Sequence, residues 1–356
     1  MRLRALSGFG EKGPACFLLE IHGRRILLDL GRGPDGDALP DLAGVAPVDA
    51  IVFSHGHADH TGGLHLATDL GNPPLYAPGP SILLAPDPAL KEARPLEALR
   101  EILGLPFCSG PAGHAPGASW IRIGGRDGLL YTGDLSEESL LWRCTMPPRA
   151  RVLLADASYG AADEPLSPQI GQMLALTDGP LLLPAPAGGR GLEMATAFQT
   201  AGHAVRLCPA HRAVAGAMLE AVPWLAPGGA AALRRLLAES GPLDEDSAAG
   251  GVMVAAGPNA ERGVAGALAP RFIAEGSARV VFTGHLSGGT PAPEWVACGK
   301  AQFRRWNVHP TLSGLKAVVA AADPERVMPA FCTAAMRDDL ALLIDRPVVT
   351  EPEITW

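Results

Sequence analysis

The sequence predicts a mixed α/β protein whose main part is interrupted by a second, smaller α/β unit. Up to about residue 164, short apolar runs alternate with Gly, Pro and Asp turns, which is typical of strands that lead into loops. From about residue 165, apolar runs alternate with longer helical segments, the pattern of an α/β unit. The length of 356 residues also suits two domains, or one domain with an insertion, better than three.

Several predicted strands of the first part end in polar residues. Asp29, His55 and Asp134 each follow a short apolar run directly or within a few residues. Catalytic side chains commonly lie on loops at strand ends, because a rigid sheet then positions them. The strands of this part are predicted at residues 15–21, 25–30, 50–53, 74–77, 119–123, 129–131 and 152–155.

The second part and the C-terminal tail contain the remaining predicted elements. Helices are expected at residues 168–176, 191–201 and 312–322, and a helical stretch broken by two prolines at residues 214–239. Strands are expected at residues 181–184, 205–207, 252–255, 279–282, 327–330 and near 344–349. Residues 240–251 are predicted to form an acidic loop.

Composition excludes some classes of protein. A net charge of -8 argues against nucleic-acid binding by bulk electrostatics, although it allows a local basic groove. No apolar run is long enough to cross a bilayer, and no charged-then-apolar leader follows Met1. The six cysteines are scattered without a CxxC pair, so we expect buried thiols. The prediction is a cytoplasmic protein without a membrane partner, with a homodimer left open.

Residues 54–63, Ser-His-Gly-His-Ala-Asp-His-Thr-Gly-Gly, predict a metal site. His55 and His57 can converge on one ion, while Asp59 and His60 can turn toward a second. Imidazole and carboxylate ligands suit zinc, with manganese or iron as alternatives. Two ions roughly 3.5 to 4 Å apart can share a hydroxide and hold both the attacking and the leaving oxygen. Surface histidines are a poor alternative, because three His and one Asp fall within six residues after an apolar strand.

This motif resembles the signature of the metallo-β-lactamase superfamily, which implies a hydrolase with an αββα sandwich. Further motifs of that family follow in order. The resemblance makes Asp29 a structural acid that supports the metal loop. It makes His114 a ligand of the first ion and Asp134 a carboxylate that bridges the two ions.

Later segments resemble the β-CASP branch of this superfamily, which includes relatives of ribonuclease J and of the pre-mRNA 3′-end endonuclease. Residues 153–160 are similar to its acidic segment, with Asp156 as the acid. Residues 280–291 are similar to the end of the β-CASP insertion, and residues 306–315 to the segment that bears a second histidine, here His309. The resemblance implies that Asp156 and His309 are catalytic and that His309 lies beside the scissile phosphate.

One motif of the β-CASP branch is missing. Its last histidine, which completes the second metal position, is replaced by Phe331, and an apolar ring cannot bind a metal. The second ion would keep Asp59, His60 and Asp134, with water, Cys332 or Asp338 as substitute ligands. The resemblance therefore implies two divalent ions, with zinc favoured and the second bound weakly. Asp59, bound to metal, would also orient the nucleophile.

Four residues are candidates for substrate binding. Arg190 follows a Gly-rich turn at a predicted helix start, a geometry that suits anions. His285 is either a groove residue or a structural one. Arg304 and Arg305 either meet a phosphate backbone or belong to a solvated helix end.

These observations combine into one prediction with two alternatives. Residues 1–164 and 293–356 are expected to form the metallo-β-lactamase core, and residues 165–292 the β-CASP-like insertion. The expected function is a phosphodiesterase or nuclease that acts on RNA or single-stranded DNA through a metal-bound hydroxide. One alternative is a hydrolase of a small ester, thioester or phosphoester on the same core. The other is a nucleic-acid-binding subunit with weak or no activity.

Overall fold

The computed structural model describes residues 1–356 and divides into two compact units. The core unit comprises residues Met1–Glu137, Cys144–Asp163 and His309–Trp356. The inserted unit comprises Glu138–Arg143 and Glu164–Val308. The predicted return to the core at residue 293 therefore falls earlier than the division in the structure.

The elements follow one another in three stretches of chain. The first stretch contains β1 (Arg2–Ser7), β2 (Cys16–Ile21), β3 (Arg24–Leu28), β4 (Ala50–Val52), α1 (Ala58–Thr61), β5 (Leu75–Ala77), α2 (Gly79–Leu84), α3 (Pro88–Lys91), β6 (Arg94–Pro95), β7 (Glu101–Ile102), β8 (Leu105–Pro111), β9 (Ser119–Ile123), β10 (Leu129–Tyr131) and β11 (Val152–Asp156). The inserted stretch contains α4 (Leu166–Leu174), β12 (Leu181–Ala185), α5 (Arg190–Thr200), β13 (Val205–Leu207), α6 (Pro209–Met218), α7 (Gly229–Glu239), β14 (Gly241–Pro242), β15 (Val252–Ala256), α8 (Gly263–Glu275), β16 (Arg279–Phe282), α9 (Pro291–Ala297) and β17 (Gln302–Phe303). The last stretch contains α10 (Leu312–Ala322), β18 (Arg326–Ala330), α11 (Ala334–Leu343) and β19 (Glu353–Thr355).

Two sheets form the centre of the core unit. One has the strand order β19-β1-β2-β3-β4-β5-β6 and the other β18-β11-β10-β9-β8-β7. Side chains alternate across each strand. In β2, Phe17 and Leu19 point into the core between the sheets, whereas Cys16 and Leu18 point into an outer core. Leu90 of α3 packs in that outer core.

The second sheet is covered in the same way on its outer face. Leu153 of β11 points outward and packs with Leu315 and Val318 of α10 and with Leu340 of α11. Its neighbour Leu154 points into the core between the sheets. Helical layers thus cover both sheets, and the predicted αββα sandwich with an inserted α/β unit is confirmed.

The inserted unit contains one all-parallel sheet with the order β14-β13-β15-β12-β16-β17. All residues of β12 are buried, as expected for a parallel strand covered on both faces. Residues 293–308 stay in this unit because β17 extends the sheet by pairing with β16. Residues 138–143 join it because Trp142 forms a bridge with Leu225.

Some sequence-based element predictions were wrong. The strand expected near residues 344–349 is instead a loop that follows α11, with an isolated bridge between Val348 and Val327. By contrast, the helical stretch expected at residues 214–239 with a break at its two prolines is confirmed, since it consists of parts of α6 and α7 around a short 3₁₀ turn, Val222–Trp224. The prediction also missed β1, β8, α8 and α11. No helix is long and apolar enough to cross a membrane.

Candidate metal centre

The polar residues of the predicted motifs come together where parallel strands end. Asp29 directly follows β3, and His55 follows the adjacent parallel strand β4. Asp134 follows β10, and Asp156 is the last residue of the adjacent parallel strand β11. Because neighbouring parallel strands end at the same edge of their sheet, short loops suffice to gather these side chains.

Asp29 is a fully buried support for the metal loop. Its backbone has a positive φ of 57° directly after β3. Its carboxylate accepts hydrogen bonds from the Ser54 amide at 2.6 Å, the Ser54 hydroxyl at 2.7 Å and the Tyr131 hydroxyl at 2.6 Å. It also pairs with His60 Nδ1 at 2.7 Å. The predicted structural role of Asp29 matches this geometry, since the carboxylate fixes both the loop and one imidazole.

Six of the predicted side chains form a continuous cluster of donor atoms. The cluster consists of three overlapping groups, in each of which the ligand atoms lie within 4.8 Å of one another. The groups are His55, His57 and His114; His55, His60 and Asp134; and His114, Asp134 and His309.

His55 is a buried base without a hydrogen-bond partner on Nε2. Burial, together with the neighbouring His60 and His57, lowers the pKa of His55 well below its ordinary value. A neutral imidazole with a free lone pair is the form that binds metals. Asp134 Oδ2 lies 3.4 Å from His114 Nε2 and 3.9 Å from His55 Nε2. Three imidazoles and one carboxylate fit a tetrahedral divalent ion such as zinc.

Asp134 and His60 form an ion pair inside this cluster. Burial alone would raise the pKa of Asp134, but His60, His309 and His114 together hold it well below its usual range. Burial alone would lower the pKa of His60, but Asp134 and Asp29 raise it well above the ordinary value. Asp134 is therefore an anion at neutral pH despite being buried, which is the form a metal ligand requires.

His309 and Asp156 form a second pair at the other end of the cluster. Asp156 Oδ2 lies 2.8 Å from His309 Nδ1 and also accepts a hydrogen bond from the Leu135 amide. Asp156 Oδ1 accepts hydrogen bonds from the amide and hydroxyl of Ser158. The ring of Tyr159 packs edge-on against His309, with centroids 5.1 Å apart. Asp156 and Tyr159 thereby fix the orientation of the His309 ring.

The opposite end of the cluster differs from the prediction. Asp59, on the first turn of α1, belongs to none of the three donor groups. Phe331 is buried, with its ring centroid 5.3 Å from that of His60. The substitute ligands Cys332 and Asp338 are also outside the donor groups, and Asp338 is exposed on α11.

The predicted substrate-binding residues all lie in the inserted unit. Arg190 begins α5, and its Nε donates a hydrogen bond to Thr283 Oγ1 at 3.0 Å. His285 follows two residues after Thr283, in the loop after β16. Arg304 and Arg305 are exposed in the segment after β17, which is not a helix end.

Sequence reasoning missed several residues that shape the site. Ser54 and Tyr131 hold Asp29, while Ser158 and Tyr159 hold Asp156 and His309. Ser54 and the Ser158-Tyr159 pair lie inside motifs that the sequence had already singled out, so their position next to motif acids was a usable signal. Tyr131 likewise begins the segment that contains Asp134, but only the fold shows that its hydroxyl bonds to Asp29.

Comparison with known families identifies this class of domain. The model of the metallo-β-lactamase superfamily matches residues 10–155. That region includes Asp29, His114, Asp134 and the motif at residues 54–63. Residues 10–155 are therefore a metallo-β-lactamase domain, and the prediction from the motifs is confirmed. Members of this superfamily typically bind divalent metals, for which this chain has candidate ligands.

Particular relatives point to the β-CASP branch, as the later motifs predicted. The chain is 30% identical over 244 residues to the transcription termination factor FttA of Cenarchaeum symbiosum, which covers 54% of this chain and 38% of that protein. It is 29% identical over 266 residues to ribonuclease TTHA0252 of Thermus thermophilus, covering 63% and 61%. It is 29% identical over 198 residues to cleavage and polyadenylation specificity factor 73 of Drosophila melanogaster, covering 45% and 29%. The matched part is thus less than two thirds of each relative.

One solved structure is similar over the whole chain. A crystal structure of a protein of unknown function from Enterococcus faecalis V583 matches with a TM-score of 0.58 and 14% sequence identity. The match covers 100% of this chain and 99% of the other. At this identity the likeness shows a shared fold, which extends through both units.

Proposed function

We propose that this chain is a metal-dependent phosphodiesterase that cleaves single-stranded nucleic acid, with RNA as the favoured substrate. The observation that carries the proposal is the His309–Asp156 pair beside Asp134 and His114. A hydrolase of uncharged esters needs a metal site but has less use for an oriented imidazole that can meet a phosphate. Two of the relatives, by name a ribonuclease and a cleavage and polyadenylation factor, support RNA over DNA as the substrate.

The metal proposed for this site is zinc, held by His55, His57, His114 and Asp134. The orphaned Nε2 of His55 and the anionic state of Asp134 support this assignment. A divalent ion bound there supplies Lewis-acid stabilisation of phosphoryl oxygens and lowers the pKa of water. We also propose that the protein is cytoplasmic. Formation of a homodimer remains a prediction.

The protein's own contribution to the reaction centres on His309. With Nδ1 paired to Asp156, the tautomer is fixed and Nε2 is the nitrogen that faces substrate. We assign to Nε2 the donation of a proton or hydrogen bond to the leaving oxygen as negative charge develops on it. Asp156 is a positioning residue in this scheme, since it acts through the imidazole.

The inserted unit supplies cations for the substrate backbone. The chain as a whole is acidic, so binding must depend on local positive charge. Exposed Arg304 and Arg305 are the proposed phosphate contacts, with Arg190 and His285 as further candidates. Contacts of this kind do not select a base sequence, and their strength falls as salt concentration rises.

The test is cleavage of end-labelled single-stranded RNA by the zinc-loaded chain, with single-stranded DNA and a panel of thioesters and lactones in parallel. His309→Ala should lower kcat for RNA by about a hundredfold while metal content stays unchanged, as expected for a lost proton donor. Asp156→Asn should lower kcat by about tenfold, as is common for residues that orient a catalytic imidazole. His65→Ala is a matched control, because His65 is exposed and outside the donor cluster.

Three results would contradict this assignment. Turnover of thioesters or lactones without RNA cleavage would favour the small-substrate alternative. Binding of RNA without cleavage of any substrate would favour a binding subunit. Loss of metal in His309→Ala would make His309 a ligand and remove its role as a proton donor.

A further inference from the structure

At one end of the donor cluster, His55, His57, His114 and Asp134 can together hold an ion, whereas an apolar ring fills the other end. Phe331, directly after β18, occupies the blocked end next to His60. The two rings meet edge to face at 66°, with centroids 5.3 Å apart. On its other side Phe331 packs against Phe17, with centroids 5.9 Å apart. The space beside His60 is therefore filled by an apolar side chain that offers no ligand.

The backbone holds Phe331 in this place. Its positive φ of 62° breaks the strand alternation, so Phe331 and the preceding Ala330 both pack in the core between the sheets. The Phe331 amide donates to the Gly8 carbonyl at 2.9 Å. A Cβ added at Gly8 would lie 3.2 Å from the Phe331 ring, so packing there is tight. Contacts with Phe17, His60 and Gly8 thus hold the Phe331 ring in place beside His60.

No other side chain replaces the missing ligand. Cys332 packs in the outer core beneath α10 and α11, outside the donor groups. Asp59 is also outside them. His55 groups with His60 and Asp134, but it is a ligand of the first ion in this assignment, which leaves His60 and Asp134 as the further donors at this end. The Nδ1 of His60 is already paired with Asp29. Two protein donors are fewer than the three that even an open catalytic zinc site uses.

We propose that this chain binds one divalent ion per molecule, at His55, His57, His114 and Asp134, and that Phe331 closes the second position. The inference rests on the proposed function insofar as it takes the cluster to be a metal site. The proposal replaces the expected pair of ions with a single ion. It also makes His60 a positioning residue for Asp134, since His60 Nε2 lies 3.3 Å from Asp134 Oδ1. Asp59, which the motif assigns to the second ion, is then not a ligand.

The test is metal content per chain, measured by elemental analysis after loading with excess Zn²⁺ and removal of unbound metal. Wild type should hold one ion, and Asp59→Ala should also hold one. Phe331→His should raise the content toward two, because it restores an imidazole beside His60, whereas Phe331→Leu should stay at one. Loading the same variants with Co²⁺ adds an electron paramagnetic resonance readout, in which spin coupling between two ions should occur only in Phe331→His.

Each of these metal-content measurements tests the proposal in the absence of any substrate. Two ions in wild type, or loss of an ion in Asp59→Ala, would overturn it. A folded Phe331→His that still holds one ion would show that Phe331 is not what closes the position. If Phe331→His fails to fold, the wild-type and Asp59→Ala counts still decide the number of ions. A chain that holds one ion but cleaves no RNA would overturn the proposed function and leave this inference standing.

Discussion

Each unit buries an acidic side chain in a polar cluster, but the two clusters differ in the charge of their partners. Asp134 of the core unit lies among imidazoles, which hold its pKa well below the usual range despite burial. Glu193 of the inserted unit, on α5, accepts hydrogen bonds from the Ser139 hydroxyl and from Trp306 Nε1. Burial raises the pKa of Glu193 to about 7. These two neutral donors, with smaller contributions from the Leu141 amide and the charge of Arg190, only partly oppose the shift.

The difference shows that burial and a shifted pKa do not by themselves define a functional site. Both carboxyl groups are almost fully buried, at 4% exposure for Asp134 and 1% for Glu193. Imidazole partners make Asp134 an anion that can bind metal, whereas the partners of Glu193 tie the segment around Ser139 to α5 and Trp306. The kind of partner, rather than the size of the pKa shift, distinguishes the candidate metal cluster from the Glu193 cluster.

The largest expected effect comes from removing an imidazole of the core cluster. His57→Ala removes one of four proposed ligands, so it should sharply lower metal affinity. RNA cleavage should fall by about a thousandfold, because several kcal/mol of transition-state stabilisation depend on the ion. Metal content and cleavage rate measured on the same preparation check this. His65→Ala, an exposed histidine on the following 3₁₀ turn, should change neither. Full metal content in His57→Ala would remove His57 from the ligand set.

We expect the Glu193 cluster to affect the free energy of unfolding rather than the catalytic activity. Between about pH 4.5 and 7 the unfolded chain ionises Glu193, while the folded chain keeps its proton. The unfolded state therefore binds fewer protons, and the free energy of unfolding falls by about 3 kcal/mol as pH rises through this window. Urea unfolding followed by tryptophan fluorescence at about pH 5 and about pH 8 measures the change.

Two variants distinguish the contribution of Glu193 to the pH dependence of unfolding from that of other groups that titrate in the same range. Glu193→Gln cannot ionise, so its unfolding free energy should lack this loss between the two pH values. Glu245→Gln alters an exposed acid of the same unit and should keep the wild-type pH dependence. Equal pH dependence in all three proteins would mean that Glu193 does not titrate differently in the folded state.

The sequence singled out most residues of the donor cluster because they lie in short motifs. The motif at residues 54–63 placed three imidazoles within six residues, and order along the chain was enough to add His114 and Asp134. Glu193 carried no such signal, since its partners lie 54 and 113 residues away and only the fold brings them together.

The fold class was predictable for a similar reason, while some elements were not. Buried strands such as β4 and β12 are continuous apolar runs, which the sequence displays directly. Strand β1 has the pattern Arg-Leu-Arg-Ala-Leu-Ser with one fully buried position, and its pairing with β2 and β19 is what makes it a strand. At the end of the cluster that Phe331 blocks, the sequence showed only that a histidine is missing. It could not predict that a left-handed backbone conformation at Phe331 places the ring against His60.

The smallest expected effect concerns a distinction within the core unit itself, between the proposed metal ligands and the residues that hold them in place. Tyr131→Phe removes one of the hydrogen bonds to the buried Asp29 carboxylate. It should lower the free energy of unfolding by about 1.5 to 3 kcal/mol, as expected for a hydrogen bond to a charged group. Metal content should stay unchanged, since Ser54 and His60 still hold Asp29.

Tyr76→Phe provides the matched control for this change. Tyr76 is buried in the same core between the sheets, but its hydroxyl is not bonded to Asp29, so its loss should alter stability by less than about 0.5 kcal/mol. Equal losses in the two variants would mean that the Tyr131 hydroxyl adds nothing through Asp29. A loss of metal in Tyr131→Phe would instead show that Asp29 needs all of its donors to keep the imidazole cluster in place, which would make the support as important to binding as the ligands.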